Sequence, residues 1–249
     1  MSWLQNIQSR CSQMGINLFG IADGTHYQNI LPDCTSVIVI ANGGSEMWEH
    51  FLSDIQKKPK MFIEQEHPLD TWVQNFFEKI DPKPPSSRKW IRCAATDDFF
   101  DFRPLAIEAG LGHHSHMGLV IHPKYGLWIS LRAAIFTKEY FEPTLLNAEN
   151  RCDTCPKFCA QSCPGNAFTK NGWAISTCAS FHHTSARCET SCQSRLSCPI
   201  GREYQHSRLA HHYHSNKLSG RKAICEILGV KDQSTGKYTD WKTWKRNSG

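Results

Sequence analysis

The chain has 249 residues, a net charge of +5 and twelve cysteines. This length suits one or two domains and leaves ample residues for a core. No apolar run approaches the length of a membrane helix, and the first residues lack the basic and apolar regions of a signal peptide. We therefore expect a cytoplasmic protein without membrane contact, in a reducing compartment where cysteines serve as metal ligands.

Both helical and strand patterns occur in the first third of the chain. Ser2 can cap a first helix and Gly15 can end it. Of the next two segments, the first alternates between two faces and the second is a short apolar run of β-branched residues. Both patterns are typical of strands. The predicted helices cover residues 2–14, 46–57 and 67–80, and the predicted strands cover 16–22 and 37–41. The fold class is therefore predicted to be α+β.

Three carboxylates, Asp97, Asp98 and Asp101, precede a predicted helix. Pro104 suits the first turn of that helix and Gly110 its end. A carboxylate at such an entry either caps the helix or donates a proton in catalysis. The residues alone favour the cap.

A glycine-rich loop follows that helix and leads into a strand. Residues 127–136 alternate between two faces, which predicts the strand. Glycines in the loop allow the backbone to approach a flat ligand closely. The segment 103–136 is therefore predicted to form a helix, a loop and a strand in that order, and the loop is a candidate binding element.

Eight of the twelve cysteines fall in two runs, each of which ends in Cys-Pro. In two-cluster ferredoxins the fourth cysteine of each run ligates the other [4Fe–4S] cluster. This rule predicts two crossed sets. The first set is Cys152, Cys155, Cys159 and Cys198, and the second set is Cys163, Cys178, Cys188 and Cys192.

Two other uses of these cysteines stay open at this point. A disulfide framework needs an oxidising compartment, for which the sequence gives no sign. Structural zinc also uses four cysteines, commonly as two separated pairs. The spacing departs from the bacterial ferredoxin run, and the second run is the looser, so zinc stays an alternative for the second set.

The chain resembles the cobalamin-dependent iron–sulfur reductases over about residues 3–200, and the resemblance is specific in two places, the 103–136 block and the cysteine runs. The opening at 15–23 also matches that group. Epoxyqueuosine reductases and the respiratory reductive dehalogenases belong to that group. The piece 118–128 is also similar to the animal cobalamin-processing protein of the cblC type. The motifs that carry the resemblance are Gly15-Ile16-Asn17-Leu18-Phe19-Gly20-Ile21-Ala22-Asp23, Ala109-Gly110-Leu111-Gly112 and Gly118-Leu119-Val120-Ile121.

The resemblance implies an architecture and a set of site residues. It implies a nitroreductase-like core over residues 1–145 that holds base-off cobalamin, a two-cluster ferredoxin-like domain over 146–205, and a basic extension over 206–249. The catalytic acid would fall beside Thr96, at Asp97, although the family's Pro-Val context is absent. The implied cobalamin-binding residues are Gly110, Gly112, His113, His116, Gly118, His122, Tyr125 and Gly126.

The function implied by the resemblance is reduction of an organic substrate by electrons that pass from the clusters to cobalt. An external flavodoxin or ferredoxin would supply the electrons. The substrate would be a small molecule or a modified nucleoside, and tRNA is in doubt because the helical repeats of epoxyqueuosine reductases find no counterpart. The alternative is a cobalamin-handling or electron-transfer protein without an organic substrate of its own, and a third hypothesis is a structural zinc protein.

The last part of the chain is basic and rich in histidine. From Gly201 onward it carries ten Lys and Arg residues against four Asp and Glu. His211, His212 and His214 are predicted to lie on a surface helix. The segment 241–246 combines tryptophans with basic residues, which would either stack bases or dock on the core.

Overall fold

The structure, a computed structural model, describes residues 2–93, 100–170 and 172–229. It is a mixed α+β fold around one four-stranded antiparallel sheet. The strands are β1 (Leu18–Asp23), β2 (Ser36–Gly43), β3 (Arg88–Arg92), β4 (His113–His114), β5 (Val120–Ile121), β6 (Ile129–Thr137), β7 (Phe168–Thr169) and β8 (Gly172–Trp173). The main sheet has the order β1-β2-β6-β3, while β4 pairs with β5 and β7 pairs with β8.

Helices cover both faces of the sheet and build most of the cysteine-rich part. They are α1 (Trp3–Ser12), α2 (Glu46–Lys57), α3 (Lys60–Ile63), α4 (Pro68–Ile80), α5 (Phe102–Glu108), α6 (Phe158–Gln161), α7 (Ile175–Thr184), α8 (Gln193–Leu196), α9 (Arg208–Ser215) and α10 (Lys217–Leu228). Within the described ranges no helix has the length and apolarity needed to cross a bilayer.

Strand β2 organises the core because all eight of its residues are buried. Alternate side chains face opposite sides of the sheet. Ile38 and Ile40 pack in one apolar cluster with helices α1, α2 and α4. Val37 and Val39 pack in a second cluster with helix α5. The central strand therefore has helices on both faces, which explains its continuous apolar sequence.

Most of the elements predicted in the first half are confirmed. Helix α1 begins after Ser2, whose hydroxyl accepts from the backbone N–H of Gln5 in a capping box. The helix predicted over 46–57 has those bounds, and the one predicted over 67–80 begins one residue later. Strand β3 was not predicted, because only its partner β6 shows the alternating pattern clearly.

The end of the described chain packs into the core. Helices α9 and α10 contribute Ala210, Tyr213 and Ile224 to the first apolar cluster. The guanidinium of Arg221 is buried and donates to the carbonyl oxygens of Phe62 and Gln65 at 3.0 and 2.7 Å. Residues 208–228 therefore close one side of the core, while the segment 241–246 lies outside the described residues.

Candidate metal centre

The first set of cysteines surrounds one small cavity of about 20 Å³. Cys152, Cys155, Cys159 and Cys198 line it together with Met117 and Leu127 of the core. Burial raises the pKa of the Cys159 thiol, and the neighbouring cysteines of the same set raise it further. A cationic metal core in this cavity would stabilise the thiolate form of Cys159 against that burial.

The second set surrounds a larger cavity of about 240 Å³. Cys163, Cys178, Cys188 and Cys192 line it, and Met117 lines both cavities. Burial raises the pKa of the Cys188 thiol, and the other three cysteines of the set add to the effect. The two cavities therefore lie side by side, each with four thiols.

The grouping crosses the order of the chain. Cys198 belongs to the second run in sequence but lines the cavity of the first set, and Cys163 does the reverse. This arrangement coincides with the two sets predicted from the ferredoxin rule. Ligation of a metal by these thiols stays a prediction.

The eight cysteines of the two sets are thiols without a disulfide bond, and all lie within the described residues. Among those residues, no group of three or more His, Cys, Asp or Glu side chains is arranged to hold a single metal ion. One zinc ion requires sulfurs at about 2.3 Å from a common point, whereas a cluster distributes its four thiolates over separate irons. Each set supplies the four thiols that either group requires.

The residues predicted to bind cobalamin have contacts within the chain, and one of them, His116, lines the first cavity. His113 contacts the carbonyl oxygen of Ala148 at 2.6 Å, and His116 stacks on Phe168 with ring centroids 5.4 Å apart. The Nδ1 atom of His122 accepts from the backbone N–H groups of Lys124 and Tyr125. Burial lowers the pKa of His122 to about 4, so it is neutral at pH 7.

The four glycines of that prediction also have neighbours within the chain. A Cβ on Gly110 would lie 2.5 Å from the carbonyl oxygen of Thr144. A Cβ on Gly112 would overlap the carbonyl oxygen of Ile121, and one on Gly126 would overlap that of Ile200. Gly118 differs, since a Cβ there would meet only the ring of Trp173, at 3.4 Å. Close packing therefore accounts for three of the glycines without a ligand.

Most residues predicted to bind cobalamin are already engaged within the chain. Gly110 and His113 contact residues 144–148, and His116 and Gly126 contact the cysteine-rich part. Gly112 and His122 contact residues of the loop itself. The described residues thus fit two clusters by their donor chemistry, while these side chains do not by themselves form a cradle for cobalamin.

The predicted acid Asp97 and its neighbour Asp98 lie outside the described residues. Asp101 caps helix α5, as its carboxylate accepts from the backbone N–H of Arg103 at 3.1 Å. Hydrogen bonds from the Arg103 side chain hold the pKa of Asp101 below its usual range. Asp101 is therefore ionised at neutral pH and unsuited to donate a proton.

A group of polar residues at the second cavity was not predicted from the sequence. Arg195, His206, His211 and His214 line that cavity. The prediction of a surface helix is wrong for His211, which is 7% exposed, because helix α9 packs its Tyr213 into the core. The apolar face of α9, through Leu209, Ala210 and Tyr213, was the signal that could have indicated this burial.

Comparison with solved structures identifies proteins of the same fold. An epoxyqueuosine reductase from Streptococcus thermophilus matches with a TM-score of 0.55 and 16% identity over 94% of this chain and 77% of its own. A second epoxyqueuosine reductase, solved with an epoxyqueuosine-modified tRNA-Tyr stem loop, matches at 0.52 and 16% over 82% and 66%. The B12-trafficking protein CblC of C. elegans matches at 0.56 and 12% over 93% and 96%.

No family model and no curated protein matches the sequence. At identities of 12–16% the solved structures establish a shared fold. The resemblance predicted from the sequence motifs is confirmed at that level, since both epoxyqueuosine reductase and CblC are structural neighbours.

Proposed function

We propose that this chain is an iron–sulfur oxidoreductase that carries two [4Fe–4S] clusters and passes electrons to cobalamin for the reduction of an organic substrate. The observation that carries the proposal is the separation of eight cysteines into two cavities in the crossed arrangement. The shared fold with epoxyqueuosine reductase supports the reductase class.

The chain's own residues would do three things in such a reaction. The first and second cysteine sets would each hold one cluster through four thiolates, which fixes the two clusters on either side of Met117. The apolar walls from Ile121 and Leu127 would exclude water from the first cluster. When bound, the clusters supply one-electron transfer and cobalamin supplies a strong reductant, so the protein's task is to set distances and surroundings.

Cobalamin is the finer part of the proposal. It is supported by the fold shared with the B12-trafficking protein, because the match extends over 96% of that protein's length. The base-off form, the flavodoxin or ferredoxin donor and the role of Asp97 as proton donor rest on the family resemblance. A modified nucleoside within tRNA is the proposed substrate class, because one neighbour binds an epoxyqueuosine-modified stem loop.

A second candidate function is favoured by one observation. The histidines and three of the four glycines predicted to bind cobalamin are already engaged within the chain. A protein that relays electrons between partners needs the two clusters but neither a cobalamin site nor a substrate pocket. This candidate shares the metal centre with the first and differs in what the core binds.

The experiment that separates the two candidates is a cobalamin titration of the anaerobically reconstituted protein, followed by absorbance. The reductase proposal expects binding with a shift from the base-on to the base-off spectrum. Gly118→Leu should weaken binding and leave iron content unchanged, since Gly118 has space around it. Asp97→Asn should bind normally but reduce substrate slowly. Protein with full clusters that takes up no cobalamin would favour the electron carrier.

A further inference from the structure

The walls of the two cavities differ in chemical character. Apart from its cysteines, the first cavity is lined mainly by apolar side chains such as Ile121, Leu127 and Ile200. The second has a wall of nitrogen-bearing side chains, Arg195, His206 and His214, which we name the donor wall. An iron–sulfur cluster with four thiolates is anionic, so the two walls would act on its charge differently.

Arg195 is a half-buried cation without a carboxylate partner among the described residues. Within the described part of the chain it forms no ion pair, and its guanidinium donates to the carbonyl oxygen of Leu127 at 2.6 Å and lies 4.6 Å from the ring centroid of Trp128. Its Nε atom is buried and has no hydrogen-bond partner. Burial lowers the pKa of Arg195 to about 10, which leaves it charged at neutral pH.

A cation whose Nε is buried without a partner is costly unless something compensates it. Arg195 lies on the same cavity as Cys192, a member of the second set, whose thiolate form would stabilise the guanidinium. An anionic occupant of the second cavity would provide the missing compensation. The position of the Arg195 guanidinium is thus explained by the anionic cluster that the second set of cysteines would hold.

The two histidines of the donor wall add hydrogen-bonding capacity. Among the described residues neither His206 nor His214 has a hydrogen-bond partner, and His214 has an exposed surface where it lines the cavity. Burial lowers the pKa of both imidazoles, so each is neutral and retains one N–H donor. Ring contacts with Trp128 and Trp48 hold them, at centroid distances of 5.4 Å for His206 and 5.8 Å for His214.

The first cavity has one cation of its own, Lys157. Its ammonium group donates to the carbonyl oxygen of Cys152, and the residue is partly exposed to solvent. Arg195 is also half-buried, but its Nε atom is buried without a partner, and His206 and His214 stand beside it on the same cavity. The second cavity therefore has more N–H donors available to an anionic occupant.

Cluster potentials depend on net charge, on hydrogen bonds to the sulfurs and on solvent exposure. We propose that the donor wall of Arg195, His206 and His214 raises the reduction potential of the second cluster above that of the first. An electron that enters the pair of clusters would then reside on the second cluster. This inference rests on the proposed function, since it requires both clusters to be present.

The test is a redox titration of the reconstituted protein followed by electron paramagnetic resonance. Two separate potentials are expected, and Cys192→Ala should remove the higher one. Arg195→Met should shift the higher potential downward, while Arg195→Lys, which keeps the charge, should shift it less. Lys157→Gln serves as the matched control and should leave the higher potential in place.

A second pair of variants tests the same inference if Arg195→Met does not fold. His214→Leu removes the donor and should lower the higher potential, while His214→Gln keeps a donor and should largely preserve it. Full iron and sulfide with unchanged potentials in Arg195→Met or His214→Leu would overturn the inference and leave the proposed function standing. Wild-type protein that assembles no clusters would instead refute the proposed function.

Discussion

Gly126→Ala should destabilise the contact between the core and the cysteine-rich part. Gly126 has φ +57° and is bridged to His122 by two backbone hydrogen bonds of 2.9 and 2.8 Å. A Cβ at this position would overlap the carbonyl oxygen of Ile200, which is buried beside Leu127 and Cys198. The substitution therefore combines backbone strain with a steric clash that neither backbone segment can avoid locally.

The magnitude follows from those two terms. Left-handed backbone costs a non-glycine residue about 1–2 kcal/mol, and overpacking typically costs about 1–3 kcal/mol. The free energy of unfolding should thus fall by roughly 2–5 kcal/mol, which at roughly 2–4 °C per kcal/mol for a chain of this size lowers the Tm by roughly 4–20 °C.

The assay is thermal and urea unfolding of the metal-free protein, followed by circular dichroism. Gly118→Ala is the matched control, because it has φ +67° but space for a Cβ, and it should lose only about 1–2 kcal/mol. Equal stability of the two variants would refute the packing role of Gly126 and would leave ligand binding as the reason for that glycine.

Three further outcomes are expected. Cys198→Ala should damage the same cluster as Cys152→Ala and lower the iron content by about four, while Cys163→Ala should affect the other cluster; a spectrum in which Cys152→Ala and Cys163→Ala damage one common cluster would contradict the crossed sets. Asp101→Asn keeps a capping oxygen but loses the ion pair with Arg103, which should cost about 0.2–1 kcal/mol at pH 7. Because the pKa of Asp101 is lowered in the folded state, this difference should be full above about pH 4 and vanish as the pH falls further, so a pH-independent difference would contradict the pairing with Arg103. Serine at any of the four remaining cysteines should leave both clusters intact by absorbance: Cys11, Cys34, Cys93 and Cys225.

The elements that depend on local pattern could be predicted from the sequence. Helix α2 has its predicted bounds because its start, its apolar stripe and its last turn are all encoded within twelve residues. The crossed cysteine grouping was also predicted, since the spacing of ferredoxin runs reflects the geometry of two adjacent clusters. These features need no information about the rest of the chain.

Features that depend on tertiary packing were missed. The burial of His211 and the donor wall arise because α9 lies between Trp48 and the second cavity, and no local pattern fixes that position. The close contact of Gly126 with Ile200 joins residues 74 positions apart, and the sequence showed only that a glycine was present. The presence of glycines in the loop was therefore not sufficient to predict a binding site.

The central claim is that two crossed sets of four cysteines each hold a [4Fe–4S] cluster. The most direct measurement is the iron, zinc and acid-labile sulfide content of the anaerobically reconstituted protein, with its Mössbauer spectrum. About eight irons and about eight sulfides per chain, all in cubane clusters, are expected. Stoichiometric zinc with no labile sulfide would contradict the claim.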